Sequence, residues 1–430
     1  MGRLLWHACT QTTLSVGVYG IYALTNAWFV ARGVGPDAMA AVNLVAPVLL
    51  VLGAVTTTVG IGGASLVSRH LGAGDTAGAA RAAGNAFAIF WAAAVTVCVA
   101  GLLAIEPLLT LLGARGDIRA DARDYAVIIL AGALVSTGFS SLVRAEGRMR
   151  FSTLLWVVPV VVQITLDPLL IFGFDLGVRG AALGTVGGQS VSAAMSIWFF
   201  FLQRRRPYRI TRTDLIPYGH TVRALLSVGA PSFLAGSGAT LLALLVNNTL
   251  VHAGGAVALA AYAVCSRIRT FVSMPQLGIS QGLQPIVGYN AGRRLFDRVR
   301  RAETLSLRAT LTYGVLTTTA VVLFAGPLVG IFLEEGPTAA AAREALRILA
   351  IGLAVAGVAP LVSACFQSLG RATPSYVISI GTLVVVKAPL VLLLSPAGTT
   401  AVWIALAAGD IISALIAIVI LRRLRPRGSD

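Results

Sequence analysis

One carboxylate, Asp167, interrupts the apolar run from Val161 to Phe174. An ionised acid at the centre of a membrane span costs roughly 2.5–3.5 kcal/mol on insertion scales, so such acids are rare and mark ion or proton pathways. Pro168 follows, and a proline ring removes a backbone donor and frees a carbonyl one turn upstream. Inside a membrane that carbonyl persists only where protein, water or an ion satisfies it. The chemistry on offer is reversible uptake of a proton or small cation beside a bend in the backbone. The competing reading is a structural Asp paired with a hydroxyl or an Arg on a neighbouring helix.

The other chemistry-bearing residues mostly exclude. Lys387 is the only lysine and no Gly-rich loop precedes it, so there is no Walker A phosphate cradle. His7, His70, His220 and His252 stand far apart with no His-Glu-x-x-His pair for zinc. Cys9, Cys98, Cys265 and Cys365 are scattered singly through apolar runs, which gives neither a disulfide framework nor a metal site; they read as packing residues. Gly278, Ser280 and Gly282 satisfy the Gly-x-Ser-x-Gly pattern, but a nucleophile elbow needs a strand, a sharp turn and a helix, and Ser280 falls inside a long apolar helix. Gly278 and Gly282, like Gly180, Gly184 and Gly188, recur every four residues and suit close helix packing. No catalytic residue, no metal site and no cofactor are expected, and a membrane enzyme would need His, Cys or acids clustered at one face. Lys387 and Asp410 lie in two later apolar runs, where a buried ion pair and a cavity role for Lys387 are both open. Arg267 and Arg269 either snorkel toward a headgroup layer or line a cavity.

The elements that must carry these residues follow from composition. The 430 residues are 57% hydrophobic and only 12% charged, with a mean hydropathy of +0.85, whereas soluble domains carry about 25% charged residues. The chain is therefore an all-α polytopic membrane protein. Spans need about 20 apolar residues each, and about twelve can be placed: spans 1 to 6 near 8–31, 38–68, 82–104, 125–143, 153–174 and 180–203, and spans 7 to 12 near 224–250, 256–290, 302–332, 341–368, 374–396 and 399–421. Asp167 belongs to span 5, Lys387 to span 11 and Asp410 to span 12. A basic segment at 204–223, including Arg204, Arg205, Arg206, Arg209 and Arg212, reads as a linker between an amino-terminal six-helix lobe, 1–203, and a carboxy-terminal one, 224–430.

Loop arginines set the orientation. One side gathers Arg3, Arg69, Arg81, Arg144, Arg148, Arg150, the linker, Arg293, Arg294, Arg298, Arg300, Arg301, Arg371 and the tail through Arg427, and it is assigned to the cytoplasm together with both termini. The net charge of +16 thus reads as a topology signal and a contact with anionic headgroups, not as a nucleic-acid surface. No cleavable signal is apparent, and a plasma-membrane, multi-pass location is expected.

The chain also repeats itself at about 220 residues. Ala40-Ala41 recurs as Ala260-Ala261, the stretch Gly60-Ile61 to Ala73-Gly74 as Gly278-Ile279 to Ala291-Gly292, Gly147-Arg148 as Gly370-Arg371, and Pro168-Leu169 as Pro389-Leu390. Two six-span halves of the same orientation form a parallel repeat about a pseudo-two-fold axis along the membrane normal, an arrangement that transporters use to rock about a cavity.

The stretch Met274-Pro275-Gln276-Leu277-Gly278-Ile279-Ser280-Gln281-Gly282-Leu283-Gln284-Pro285-Ile286-Val287-Gly288-Tyr289-Asn290-Ala291-Gly292 resembles the multidrug and toxic compound extrusion (MATE) transporters, in their bacterial MepA-like and DinF-like branch. Gly62-Gly63-Ala64-Ser65, Gly72-Ala73-Gly74-Asp75, Arg144-Ala145-Glu146-Gly147, Leu166-Asp167-Pro168-Leu169, Phe366-Gln367-Ser368-Leu369-Gly370, Trp403 and Asp410 extend the resemblance along nearly the whole chain. It implies an antiporter that expels organic cations, drugs or amphiphilic metabolites while protons or sodium ions enter, with a cation site lined by spans 1, 5 and 6. The family positions fall on Tyr22, Asn26, Gln163, Asp167 and Thr185. Asn26 replaces a carboxylate and Gln163 an Asn; an amide can coordinate a cation but cannot carry a proton. A second family sodium site expects an acid in span 7, where Asn247 and Asn248 stand, so that site is not expected. Lys387, Asp410, Asn247 and Gln281 are candidates for a substrate cavity. Expected partners are a small organic substrate and the bilayer, with the protein acting as a monomer. The alternatives are a flippase for a lipid-linked substrate, marked by extra spans or an Arg-dense cavity, and a dedicated exporter of one metabolite.

Overall fold

Across a bilayer a helix is one of few ways to pair every backbone amide. The computed structural model describes residues 1–135, 139–203 and 206–425, apart from the side chains of Ala23, Leu24, Ala27, Ala31, Pro36, Asp37 and Asp117. Its described residues are helices joined by short connections, with no strand among them. Arg204, Arg205 and Arg427, assigned above to the linker and tail, lie outside the described residues, as do 136–138 of span 4.

Nine described helical segments are long and apolar enough to cross a membrane. They supply span 2 (Ala38–Gly72), span 3 (Thr76–Leu103), span 4 (Ile118–Ala145), span 5 (Met149–Gly173), span 6 (Gly177–Leu202), span 10 (Pro337–Ser368), span 11 (Ala372–Ala397) and span 12 (Thr399–Leu424). The ninth, Gly219–Gly292, is two spans, because Gly255 in its middle takes φ +62°, a backbone that glycine tolerates and a helix cannot continue through. Spans 7 and 8 are therefore 219–254 and 256–292. With span 1 (Gly2–Gly33) and span 9 (Phe296–Leu323), the described residues provide twelve spans, and the all-helical membrane fold stands as expected.

Local geometry repeats with the sequence. Left-handed backbone recurs at Gly35 and Gly255, Gly74 and Arg294, Gly147 and Gly370, and Gly177 and Gly398, at intervals of 220 to 223 residues. Spans 3 and 9 end alike, at Ala104 (φ −100°, ψ 19°) and Phe324 (φ −101°, ψ 20°). A short helix follows each, Ile105–Leu111 and Ala325–Gly330. Pro107 and Pro327 sit in the first turns of these helices, where a missing donor costs nothing. Span 9 is thus shorter than the expected 302–332, because the apolar run contains a break that hydropathy does not register.

Two compact units make up the chain, Leu14–Gly229 and a discontinuous one of Met1–Thr13 with Ala230–Asp430. In the first, Phe87, Phe139, Phe199 and Phe200 centre one apolar core and Leu109, Leu130 and Ile171 another. Span 7 opens against span 2 here: a methyl group at Gly62 would fall 2.1 Å from the Leu225 carbonyl, and one at Gly229 2.0 Å from that of Thr58. In the second unit Leu346, Leu349 and Trp403 centre a core, and the opening turns of span 1 lie on span 8. Thr12 Oγ1 donates to the Gly278 carbonyl at 2.6 Å, and Gly282 faces the backbone of Ala8 and Cys9. The four-residue glycine spacing therefore marks close backbone approach, as small residues in membrane helices do.

Residues 206–218 of the linker are tied to the Leu14–Gly229 unit. Arg206 pairs with Glu146, both side chains being almost fully buried, while Tyr208 donates to Glu146 Oε1 at 2.6 Å. The guanidinium lies over the rings of Phe199, Phe200 and Tyr208. Further on, Asn85 Nδ2 donates to the carbonyls of Asp214 (2.9 Å) and Ile216 (3.1 Å) and its Oδ1 accepts from the Tyr218 amide at 2.8 Å.

Candidate functional site

Four-residue spacing puts side chains on one face of a helix, and it aligns Gln163 with Asp167 on span 5 and Tyr22 with Asn26 on span 1. Asp167 is 1% exposed. Span 6 turns a glycine stripe toward it: a methyl group at Gly184 would fall 2.0 Å from Asp167 Oδ1, one at Gly180 2.9 Å from the Leu170 backbone, and one at Gly188 2.9 Å from the Pro159 carbonyl. The carboxylate thus fits into a gap that only glycine leaves. Beyond Pro168 span 5 widens into a π-helical turn, Leu169–Gly173.

The five predicted residues meet as two groups. Asn26 Nδ2 donates to Asp167 Oδ2 at 3.1 Å, and Oδ1, though buried, has no hydrogen-bond partner among the described residues. Gln163 Nε2 donates to Tyr22 OH at 2.6 Å and to Thr185 Oγ1 at 2.8 Å. Tyr22 and Thr185 hydroxyls stand 3.4 Å apart, and Thr185 donates to the Ala181 carbonyl at 3.1 Å. One assignment of protons satisfies this trio: both amide hydrogens go to the hydroxyls, Tyr22 donates to Thr185, and Thr185 donates to the backbone. Asn26 alone of the four polar neighbours bonds the acid. Tyr125 of span 4, 3% exposed, stands beside Thr185 and Asp167 as well; nothing in its local sequence distinguishes it from a core tyrosine.

An acid with one neutral donor and one bare oxygen can do two things. It can take a proton on Oδ1, or it can hold a small monovalent cation with oxygens to spare. Among the described residues no group of three His, Cys, Asp or Glu gathers to hold a metal ion.

The Ala230–Asp430 segment holds a different constellation. Lys387 Nζ lies 2.6 Å from Asp410 Oδ1 and Arg269 Nη2 2.8 Å from Oδ2. Arg269, whose place sequence reasoning left open between headgroup and cavity, is thus a partner of Asp410. Lys387 closes a π-helical stretch, Leu383–Lys387, which shifts a side chain from its α-helical direction. Asn247 in span 7 and Gln281 in span 8 are both half-buried, and among the described residues they join neither cluster by a hydrogen bond.

The multidrug export protein MepA of Staphylococcus aureus (strain MRSA252) is 27% identical over 423 residues, 97% of this chain and 91% of the relative. MepA of Staphylococcus saprophyticus is 27% identical over 414 residues, 95% and 90% of the two chains. Among solved structures, a multidrug resistance MATE family transporter of the MOP superfamily, in an outward-facing conformation, superposes with a TM-score of 0.92 at 25% identity over 98% of this chain and 95% of that one. A MOP superfamily transporter from Pyrococcus furiosus gives 0.91 at the same identity and coverage. The MatE family model matches residues 13–169 and 231–393, one match in each half of the repeat. Twelve spans, a duplicated plan and these matches agree, and the chain belongs to the MatE family of membrane transporters.

Proposed function

We propose that the chain is a cation-coupled antiporter that exports organic cations, drugs or amphiphilic metabolites from the cytoplasm by alternating access, with Asp167 as its coupling acid. The observation that carries this reading is the buried Asp167 carboxylate, bonded by the neutral Asn26 on one oxygen and by nothing described on the other. The export activity of the staphylococcal relatives supports it. Uptake of a proton or a sodium ion on Asp167 removes its negative charge and alters its bond with Asn26, and release restores both, which biases the access states in turn. The trio of Tyr22, Gln163 and Thr185 holds spans 1, 5 and 6 in register around the acid. The protein works as a monomer in the plasma membrane with both termini cytoplasmic, its basic loops against anionic headgroups.

The test is Asp167→Asn, reconstituted into liposomes with an imposed pH or sodium gradient and a fluorescent organic cation. The amide retains an oxygen to accept from Asn26, so the expected result is a folded variant that binds the dye and equilibrates it but cannot concentrate it. One pH unit corresponds to about 1.4 kcal/mol and supports about tenfold accumulation for each proton exchanged. A folded Asp167→Asn protein that still accumulates dye against its gradient would refute the coupling role.

A further inference from the structure

We infer that Lys387 and Arg269 form an anion-accepting subsite in the carboxy-terminal unit, built to take the carboxylate of a planar amphiphile. The inference rests on the export reading above and adds a substrate class to it. Asp410 is buried, its side chain 6% exposed, yet two cations meet it, and each keeps about a quarter of its side chain exposed: 25% for Lys387 and 23% for Arg269. One cation would balance its charge. The second leaves a positive charge in excess within membrane-spanning helices, and intramembrane charges mark substrate pathways.

Donor counts lead the same way. An ammonium carries three N–H donors and a guanidinium five; the carboxylate takes one from each, and each group, a quarter exposed, has further donors to offer. Glycines let the charged groups pack close. A methyl group at Gly409 would come within 3.0 Å of Lys387 Cγ, and one at Gly352 within 3.0 Å of Asp410 Oδ2, so the fold fits the charged groups to its helices much as Gly184 fits Asp167. The two sites differ in sign: the acid of span 5 has a neutral donor, that of span 12 two cations.

An aromatic pair lies in line with the charges. Tyr262 stacks on Trp403, ring centroids 5.9 Å apart and planes 19° from parallel. Tyr262 precedes Arg269 by seven residues on span 8 and Trp403 precedes Asp410 by seven on span 12, which puts the ring pair two turns, roughly 10 Å, along the same faces. Trp403 is buried at 3% exposure and Tyr262 only half-buried. A rigid aromatic body about that long, ending in a carboxylate, reaches both features.

The probes are a xanthene dye with a free carboxylate and its methyl ester, which share one ring system. Binding to full-length protein in phosphatidylcholine nanodiscs should favour the carboxylate form. Lys387→Gln and Arg269→Gln should each lower the carboxylate-to-ester affinity ratio about tenfold, as loss of one charge-assisted hydrogen bond does, while Lys387→Arg should keep it. Either Gln variant leaves Asp410 one cation, which protects folding. An unchanged ratio in both Gln variants, even with lowered thermal stability, would assign the cluster a structural role and overturn the inference. Binding is read without transport, so carboxylate dye that binds with this preference yet is never exported counts against the export reading alone.

Discussion

Adding a single methyl group at Gly184 puts the packing of Asp167 to a quantitative test. In Gly184→Ala the new carbon would stand 2.0 Å from Asp167 Oδ1 and 3.2 Å from its Cγ. The carboxylate must withdraw by roughly 1 Å to reach even a tight contact of about 3 Å, and the backbone of two packed helices leaves little freedom for it. Overpacking of this kind costs about 1–3 kcal/mol, and the 3.1 Å bond from Asn26 adds about 1 kcal/mol if it breaks. Gly187→Ala is the control, since its methyl would meet only Leu166 Cδ1, at 2.8 Å, the end of a side chain that can turn. Alanine is also the better helix former by about 1 kcal/mol, a gain shared by both variants, so their difference isolates the clash at about 2–4 kcal/mol. Thermal unfolding at a fixed scan rate should therefore find Gly184→Ala several degrees below Gly187→Ala, and gradient-driven dye accumulation should be lost in the first and kept in the second. Asp167→Ala should relieve the clash, so the double variant with Gly184→Ala should be more stable than the two single effects sum to. Equal melting of the Gly184 and Gly187 variants, or simple additivity in the double, would refute the fitted gap.

Three further outcomes are expected. Asn26→Asp places a second titratable oxygen pair beside Asp167, so dye accumulation should steepen against an imposed pH gradient; identical gradient dependence before and after would dismiss Asn26 as a determinant of coupling. Glu146→Ala strips the buried Arg206 of its partner at a cost of about 3–5 kcal/mol and frees the ordered linker, which limited proteolysis between residues 206 and 218 should detect as new cleavage absent from the parent. Asp75 caps span 3 by accepting from the Gly78 amide at 2.7 Å, and that bond, with His70 beside it, holds the carboxyl below its ordinary range; its folded value lies under the unfolded value of about 3.9, so its contribution is present above that pH and fades as pH falls through the folded value. Asp75→Ala should then cost about 1 kcal/mol near neutrality and less in strong acid, where the protonated carboxyl keeps an acceptor but loses its charge, and a loss that does not vary with pH would contradict a charged cap.

The fold was legible because its signals are dense and local. Hydropathy delimits spans one at a time, Asp167 is conspicuous against thirteen mostly apolar neighbours, and the glycines at 180, 184 and 188 announce close packing by spacing alone. What escaped depends on partners distant in the chain. Nothing near Arg269 says that it meets Asp410, 141 residues away, and Tyr125 reads as an ordinary core tyrosine until the helix carrying it is packed. Of the carried-over site residues, four polar neighbours around one acid suggest a single ring of hydrogen bonds. The bonds fall instead into two groups, Gln163 with Tyr22 and Thr185 and Asn26 alone with the acid. The basic segment 204–223 looks solvated by composition, yet Arg206 and Asn85 fasten its residues 206–218 to the protein, since a buried Glu146 and unpaired linker carbonyls each need a donor.

The discontinuous unit has a consequence for how the chain is made. A ribosome adds about 5–20 residues each second, and the stretch Leu14–Gly229 emerges whole, with every element of its unit already synthesised when Gly229 appears. The opening residues Met1–Thr13 leave first but rest on Gly278 and Gly282, so they wait on the order of tens of seconds for their seat to be built. During that interval Thr12 has no Gly278 carbonyl to bond. Translation speed from residue 14 to about residue 282, and not only the stability of the finished molecule, thereby governs how long the segment Met1–Thr13 stays uncommitted.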